Sequence, residues 1–211
     1  MKKYIKAIGG EKLISGIKDI KTIYTSTIQG IPVTMTELKK SPDKYVQEMV
    51  GNVQGQFMTF QKQAFNGTAG YNEAQGQKAG LKPEEIEEVK EEADIYADLH
   101  PAKYGITRTL KGMDKINNRE AYVLEAVNAK GKKTTEYYDA TNGLLLKKIQ
   151  VEETPKGQTS QIYEFAEYKE VSGYKGYKVP NAVTITVGPQ IMKFELLIAD
   201  VNKGIADAKF N

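Results

Sequence analysis

The sequence contains neither cysteine nor tryptophan, and His100 is its single histidine in 211 residues. Without cysteine the chain can form no disulfide, no thiolate metal site and no cysteine nucleophile. One histidine also falls short of the two that the helical zinc-peptidase motif requires. We therefore expect no catalytic residues, no metal site and no cofactor in this chain, which favours a non-enzymatic protein.

Charge and hydropathy argue against two further classes of protein. The 30 basic side chains nearly balance the 27 acidic ones, and a net charge of +3 is too small and too evenly spread to favour nucleic acid. No apolar run reaches the ~18 residues that a membrane-spanning helix needs. The opening MKKYIKAIGG is basic but lacks the apolar segment of a signal peptide. We expect no nucleic-acid partner and no transmembrane segment.

Most of the chain alternates apolar and polar residues with the period of β-strands. Short helical patterns in residues 2–17 precede strands in 20–74, and further strands follow in 104–201. Turn signals such as Asn66-Gly67 separate neighbouring strands, as in antiparallel hairpins. Because β domains of this length are usually single, the pattern predicts one mainly β domain, 1–211, with about ten or eleven antiparallel strands.

One long helical pattern, residues 83–99, interrupts the strands. Apolar residues recur there at spacings of three and four, and Pro83 suits a first helical turn. The opposite face is acidic. A strongly curved sheet, an incomplete barrel, is therefore expected to wrap around this helix and the short N-terminal helices. The space between sheet and helix is either a filled core or an apolar pocket.

Two groupings of polar residues contain side chains that could form a reactive site. A hydrolase would need Asp98, His100 and a serine or threonine in one cleft, but no partner besides Asp98 is close in sequence, so an exposed histidine at the end of a helix is the favoured explanation of His100. A cation could bind to Glu84, Glu87, Glu88 and Glu91, but such a run usually forms a solvated helix face. Neither pattern favours catalysis over a structural role.

Several short motifs, in the same order along the chain, resemble the LolA/LolB-type lipoprotein-carrier fold of periplasmic domains, especially Bacteroidetes versions. They are Tyr4-x-x-Ala7-Ile8-Gly9-Gly10, Ser41-Pro42-Asp43-Lys44-Tyr45, Phe65-Asn66-Gly67-x-x-Gly70-Tyr71, Tyr137-Tyr138-Asp139-x-x-Asn142-Gly143-Leu144 and Val201-Asn202-x-Gly204-Ile205. The resemblance implies a periplasmic or exported, non-catalytic module that binds lipid or lipoprotein. In these carriers the concave apolar face of the sheet holds acyl chains.

The resemblance and the apolar periodicity together give a set of candidate ligand-binding residues. They come from the helix face and from the strands, and they are Ile86, Val89, Ala93, Tyr96, Phe57, Phe60, Leu145 and Phe194. The alternative for each is packing in an ordinary core. The expected ligand is an acyl chain or a lipoprotein.

The chain is also similar to the accessory C-terminal domain of Bacteroidetes insulinase-type (pitrilysin-like) zinc peptidases. Gly188-Pro189-Gln190 and Asn202-Lys203-Gly204-Ile205 fit that version. This resemblance implies a docking domain, with a peptidase domain in the same native polypeptide and Met1 added to an excised mature segment. A parent protein would then carry the name of a zinc peptidase, although no zinc-binding motif occurs in this chain.

Overall fold

The computed structural model describes residues 1–154 and 157–211. Three α-helices lie in this part of the chain: α1 (Lys2–Ala7), α2 (Glu11–Ile14) and α3 (Pro83–Ala93). Short 3-10 helices follow at Pro101–Tyr104 and Asp207–Phe210. The strands are β1 (Asp19–Ile28), β2 (Ile31–Lys40), β3 (Lys44–Val53), β4 (Gln56–Phe65), β5 (Gly70–Ala74), β6 (Gln77–Gly80), β7 (Thr107–Ile116), β8 (Arg119–Val127), β9 (Lys133–Asp139), β10 (Leu145–Thr154), β11 (Gly157–Ala166), β12 (Lys169–Glu170), β13 (Lys178–Val179), β14 (Ala182–Val187) and β15 (Gln190–Val201).

Thirteen of these strands form one antiparallel sheet in the order β6-β5-β4-β3-β2-β1-β15-β14-β11-β10-β9-β8-β7, and β12 pairs with β13. The sheet is open, with β6 and β7 as its edges. Register shifts in four ladders leave one extra residue in each of β15, β4, β7 and β10, and an extra residue of this kind bends its strand. The expected fold class, mainly β with an open antiparallel sheet, is confirmed.

The number of strands exceeds the expected ten or eleven. The four residues of β6 are all exposed, so no alternation of buried and exposed residues marks them as a strand. Strands β12 and β13 have two residues each, too few for a period to be visible. Backbone pairing with a neighbour, rather than burial of side chains, defines these three strands.

The chain divides into two compact units. The α1 unit comprises Met1–Glu11, Asp98–Glu170 and Gly176–Lys193, and the α3 unit comprises Lys12–Ala97, Val171–Lys175 and Phe194–Asn211. Strand β15 contributes residues to both. The expectation of one domain over 1–211 stays a prediction.

In the α3 unit, helix α3 packs its apolar face on strands β3 and β4. Val89 and Ala93 are buried together with Tyr45 and Phe65, and Ile86 packs against this cluster. The N–H of Lys82 donates to the Glu85 carboxylate at 2.7 Å, which satisfies one backbone donor at the start of the helix.

The helix ends at Ala93, not at Leu99 as the periodicity predicts. Asp94 leaves the helical conformation, with φ −77° and ψ 109°. Its carboxylate accepts the N–H of Tyr96 at 2.8 Å. An aspartate that bonds its own backbone two residues ahead competes with helix formation, and this local turn ends the helix.

The C-terminal segment is bonded to β1, β2 and β3 within the same unit. The buried Asp19 carboxylate accepts the N–H groups of Lys203 and Gly204 at 2.9 and 3.1 Å. The exposed carboxylate of Asp207 bonds Lys40 at 2.6 Å and Lys44 at 2.8 Å. Hydrogen bonds from these two lysines lower the pKa of Asp207 to about 2.

We predict that Asp207→Asn lowers the melting temperature at neutral pH but not in strong acid. An unfolded aspartate titrates near pH ~3.9, so the contribution of Asp207 is present above that pH and is lost as the pH falls through about 2. Thermal melts of both proteins across this range are the measurement. A difference in melting temperature that stays constant down to the lowest pH would contradict the prediction.

Candidate functional site

The helix residues proposed from sequence as ligand-binding lie in or beside packed structure. Val89 and Ala93 are buried in the cluster with Phe65, and Ile86 packs against that cluster. Tyr96 is half-buried, and its hydroxyl donates to the backbone carbonyl of Ile17. These environments match the alternative of an ordinary core, and a role in binding stays a prediction.

The four strand residues proposed as ligand-binding occupy different environments. Phe57 is 78% exposed, whereas Phe194 is fully buried. The ring of Phe60 occupies the space where a Cβ at position 51 would lie. Leu145 is half-buried and belongs to the α1 unit, whereas the other seven candidates belong to the α3 unit.

A cleft of about 210 Å³ lies in the α1 unit, between helix α1 and strands β7, β8 and β9. Its lining is mostly apolar or aromatic and consists of Met1, Lys3, Tyr4, Leu110, Tyr122, Leu124, Tyr138, Asp139 and Gly143. The sequence reasoning did not single out this region as a site. The two helix residues over the cleft, Lys3 and Tyr4, belong to a helix of only six residues, which is too short for its periodicity to indicate a site.

The floor of the cleft is a strip of apolar side chains on one face of the sheet. Leu110 of β7 lies opposite Leu124 of β8, and Met113 lies opposite Tyr122. Residues directly opposite each other on paired strands share a face. Leu110, Met113 and Tyr122 are 61%, 55% and 38% exposed, so the strip continues from the cleft toward the edge strand β7 in contact with solvent.

Three contacts hold helix α1 in its position over this floor. The ring of Tyr4 packs on Tyr138 with centroids 5.3 Å apart, and the Lys3 amine donates to the carbonyl of Ala140. At the other end of the helix, the N–H of Lys178 donates to the carbonyl of Ile8 at 3.1 Å. A helix this short depends on such contacts, because it is unstable on its own.

The position of helix α1 also requires glycine at residue 143. Gly143 has φ +80°, and a Cβ there would lie 2.6 Å from Cγ of Lys3 and 3.0 Å from its carbonyl oxygen. Asp139 shapes the turn, since its carboxylate accepts the N–H groups of Thr141 and Asn142 at 2.7 and 2.9 Å. The Asn142-Gly143 turn signal therefore marks the point where α1 meets the sheet.

The two tyrosines that face each other in the cleft remain uncharged. Burial, with smaller contributions from neighbouring tyrosines and Asp98, raises the pKa of Tyr4 well above its usual range. Burial, followed by the nearby Glu136 carboxylate, likewise raises the pKa of Tyr138. The phenol groups of Tyr4 and Tyr138 are therefore neutral and add no charge to the wall of the cleft.

A cluster of partly buried ion pairs lies next to the floor. Arg108 Nε donates to Glu136 at 2.9 Å, and its Nη2 contacts Glu136 at 3.2 Å and Asp98 at 3.0 Å. The hydroxyl of Tyr138 donates to Glu136 at 2.9 Å. Asp98 is thus engaged by Arg108, and His100 is exposed, so the geometry gives no support to a hydrolytic cluster around them.

The sequence carried one weak signal for Arg108. Only two of the 30 basic residues are arginine, Arg108 and Arg119. Both bind carboxylates, since Arg119 pairs with Asp139. Arginine is favoured over lysine where one side chain must bind both oxygens of a carboxylate. In a chain that otherwise uses lysine, each of the two arginines is therefore expected to form a structural ion pair.

Comparison with known proteins identifies the fold. No family model matches the chain, and no curated protein matches it in sequence. A DUF1329 family protein from Desulfovibrio piger has a similar structure, with 11% identity and a TM-score of 0.61 over 99% of this chain and 95% of that one. A LolA superfamily protein from Nitrosomonas europaea has 9% identity and a TM-score of 0.58 over 95% and 94% of the two chains. The fold is LolA-like.

A third solved structure agrees with this assignment. It is a domain from Vibrio parahaemolyticus provisionally named an outer membrane lipoprotein-sorting protein, with 15% identity, a TM-score of 0.54 and coverage of 92% and 88%. The resemblance inferred from the sequence motifs is therefore confirmed for the fold. The link to Bacteroidetes zinc peptidases stays a prediction.

Within residues 1–154 and 157–211, no group of three or more acidic or histidine side chains is placed to hold a metal ion. No helix in the described part of the chain is long and apolar enough to cross a membrane. The cleft under α1, with its partly exposed apolar floor, is the candidate functional site.

We predict that Gly143→Ala loosens helix α1, whereas Gly131→Ala does not. Both glycines have nearly the same left-handed backbone, φ +80° and +78°, but a Cβ at position 131 meets nothing within 4 Å. Each change should cost roughly 1 kcal/mol of backbone strain, and Gly143→Ala should cost more because Lys3 must move.

Hydrogen exchange of the Ile5 and Ile8 amides, which bond within α1, is the direct measurement. Faster exchange in the Gly143 variant alone is expected. Equal exchange and equal loss of stability in the two variants would show that this contact does not position the helix.

Proposed function

We propose that the protein is a non-catalytic module that binds lipid or lipoprotein, and that an acyl chain lies in the cleft under α1. The observation that carries the proposal is the exposed apolar strip of Leu110, Met113 and Tyr122 beside that cleft. Single exposed apolar residues are ordinary on protein surfaces. Three on one face, continuous with an apolar cavity, are the arrangement expected of a ligand site.

The size of the cleft suits part of a hydrocarbon chain. An apolar cavity of ~150 Å³ holds benzene, and this cleft of about 210 Å³ is larger and continues along the edge of the sheet. Each methylene removed from water contributes ~0.8 kcal/mol, so burying eight would contribute roughly 6 kcal/mol before the entropy of ordering the chain. A contribution of this size supports reversible binding of an acyl chain, and such binding requires no catalytic residue.

The fold supports the same assignment. The chain shares its fold with a LolA superfamily protein and with a domain provisionally named for lipoprotein sorting. On this proposal the protein works in the periplasm or as an exported protein, and its partner is the acyl chain of a lipid or lipoprotein. The cleft under α1, rather than the packed face of α3, is the place where that chain lies.

A matched pair of substitutions tests the location of the site. Leu110 and Ile191 are both apolar and about equally exposed, 61% and 64%, but only Leu110 is among the residues that line the cleft. We expect Leu110→Glu to weaken binding of a fluorescent hexadecanoyl probe about tenfold or more, because the carboxylate must lose water against the chain. Ile191→Glu should bind like the original protein.

Both variants should fold, because each residue is already largely exposed. Circular dichroism and thermal melts provide that control. If the original protein does not take up the probe, or if the two variants bind it equally well, the acyl chain does not lie in this cleft.

A further inference from the structure

Two charged side chains, Lys3 and Asp139, lie among the described residues that line the cleft under α1. Asp139 has a counter-ion of its own, because its carboxylate pairs with Arg119 and also accepts the N–H groups of Thr141 and Asn142. Lys3 forms no ion pair with any described residue. The cleft lining therefore contains one cation whose charge no neighbouring carboxylate balances.

The ammonium group of Lys3 has donors left for a ligand. It carries three N–H donors, and the structure gives it one acceptor, the neutral carbonyl of Ala140. The side chain is exposed and forms part of the cleft wall, so a molecule in the cleft is able to reach it. Two N–H donors of this cation therefore remain for acceptor atoms of a bound molecule.

The side of the cleft formed by α1 carries an excess of positive charge. The helix contains three lysines, Lys2, Lys3 and Lys6, and no acidic residue. Farther along the floor, Glu120 lies opposite Lys115, so this pair adds no net charge. A concave surface with one predominant sign of charge attracts ligands of the opposite sign, so the cleft favours a negatively charged ligand.

The cation and the exposed apolar strip lie on opposite sides of the floor. Lys3 contacts the turn that follows β9, at Ala140 and Gly143, whereas Leu110 and Met113 of the strip belong to β7. Strand β8 lies between β9 and β7, which corresponds to a separation of roughly 10 Å. A molecule with one anionic end and one hydrocarbon end therefore matches both sides of the floor.

We propose that Lys3 is the subsite for an anionic head group, and that the cleft binds hydrocarbon chains that end in a carboxylate or a phosphate. Both groups present negatively charged oxygen atoms, which accept the remaining N–H donors of the ammonium group. Lys3 is the residue that determines specificity for the head group. This inference rests on the proposed function and adds the chemical class of the head group.

A series of ligands with equally long chains and different head groups gives the first test. Hexadecanoate, hexadecyl phosphate, methyl hexadecanoate and hexadecylamine compete in turn with the fluorescent probe at neutral pH, each below its critical micelle concentration. We expect the two anions to bind roughly three- to tenfold more tightly than the methyl ester, and the amine to bind most weakly. This advantage should shrink as salt is added, because Lys3 is exposed.

The two anions distinguish the sources of the head group. Tighter binding of hexadecyl phosphate would indicate a phospholipid, and tighter binding of hexadecanoate would indicate a free fatty acid.

Lys3→Gln gives the second test, with Lys3→Arg and Lys6→Gln as matched variants. Glutamine removes the charge, so the advantage of the anions over the methyl ester should disappear, whereas arginine keeps the charge and should keep the advantage. Lys6 is exposed on the same helix but does not line the cleft, so Lys6→Gln should bind all four compounds like the original protein. The readout is the ratio of affinities, because a loosened helix α1 would weaken all four compounds alike. Thermal melts check that each variant folds.

The outcomes separate this inference from the proposed function. Equal affinity for the anions and the methyl ester, or an advantage of the anions that survives Lys3→Gln, would overturn the head-group subsite and leave the lipid-binding function standing. Failure of every compound to displace the probe, or of the probe to bind, would overturn both.

Discussion

The cleft depends on the close contact between helix α1 and the turn at Gly143. A helix of six residues has no stability of its own, so its position is set by the tyrosine pair, the Lys3 bond to Ala140 and the absence of a side chain at position 143. These contacts hold one end of the helix against the sheet. Because the helix is short and presents only Lys3 and Tyr4 to the cleft, it covers the apolar floor without filling it.

Helix α3, in the other unit, is packed closely on its strands. Its eleven residues present Val89 and Ala93 to Tyr45 and Phe65, and these side chains fill the space between helix and strands. Close packing of this kind stabilises the unit. The α1 unit instead keeps an open apolar floor and stabilises the neighbouring strands through the Arg108 ion pairs, which join β7 to β9. We infer that the ligand binds in the α1 unit, because helix α1 packs on its strands less completely than helix α3 does.

The sequence predicted the strands and the open sheet well, because alternation along a strand records which face is buried. It also identified the apolar face of α3, but periodicity cannot tell a filled core from a pocket, since both need the same residues.

The cleft was missed because it depends on contacts between residues far apart in sequence, such as Lys3 and Ala140. Arg108 was missed because its partner Glu136 comes from another strand, and β6 because none of its side chains is buried. The end of α3 was misjudged because the apolar spacing continues beyond Asp94, whose side chain turns the backbone away from the helix.

The central claim is that an acyl chain lies on the floor formed by β7, β8 and β9 under α1. Photo-crosslinking with an acyl ester that carries a diazirine in its chain, followed by mass spectrometry of the labelled peptides, tests it most directly. The account predicts label on Tyr4, Leu110, Tyr122 or Leu124. Label concentrated on the α3 face at Ile86 and Val89 or on Phe57 and Phe60, or no specific label at all, would contradict it.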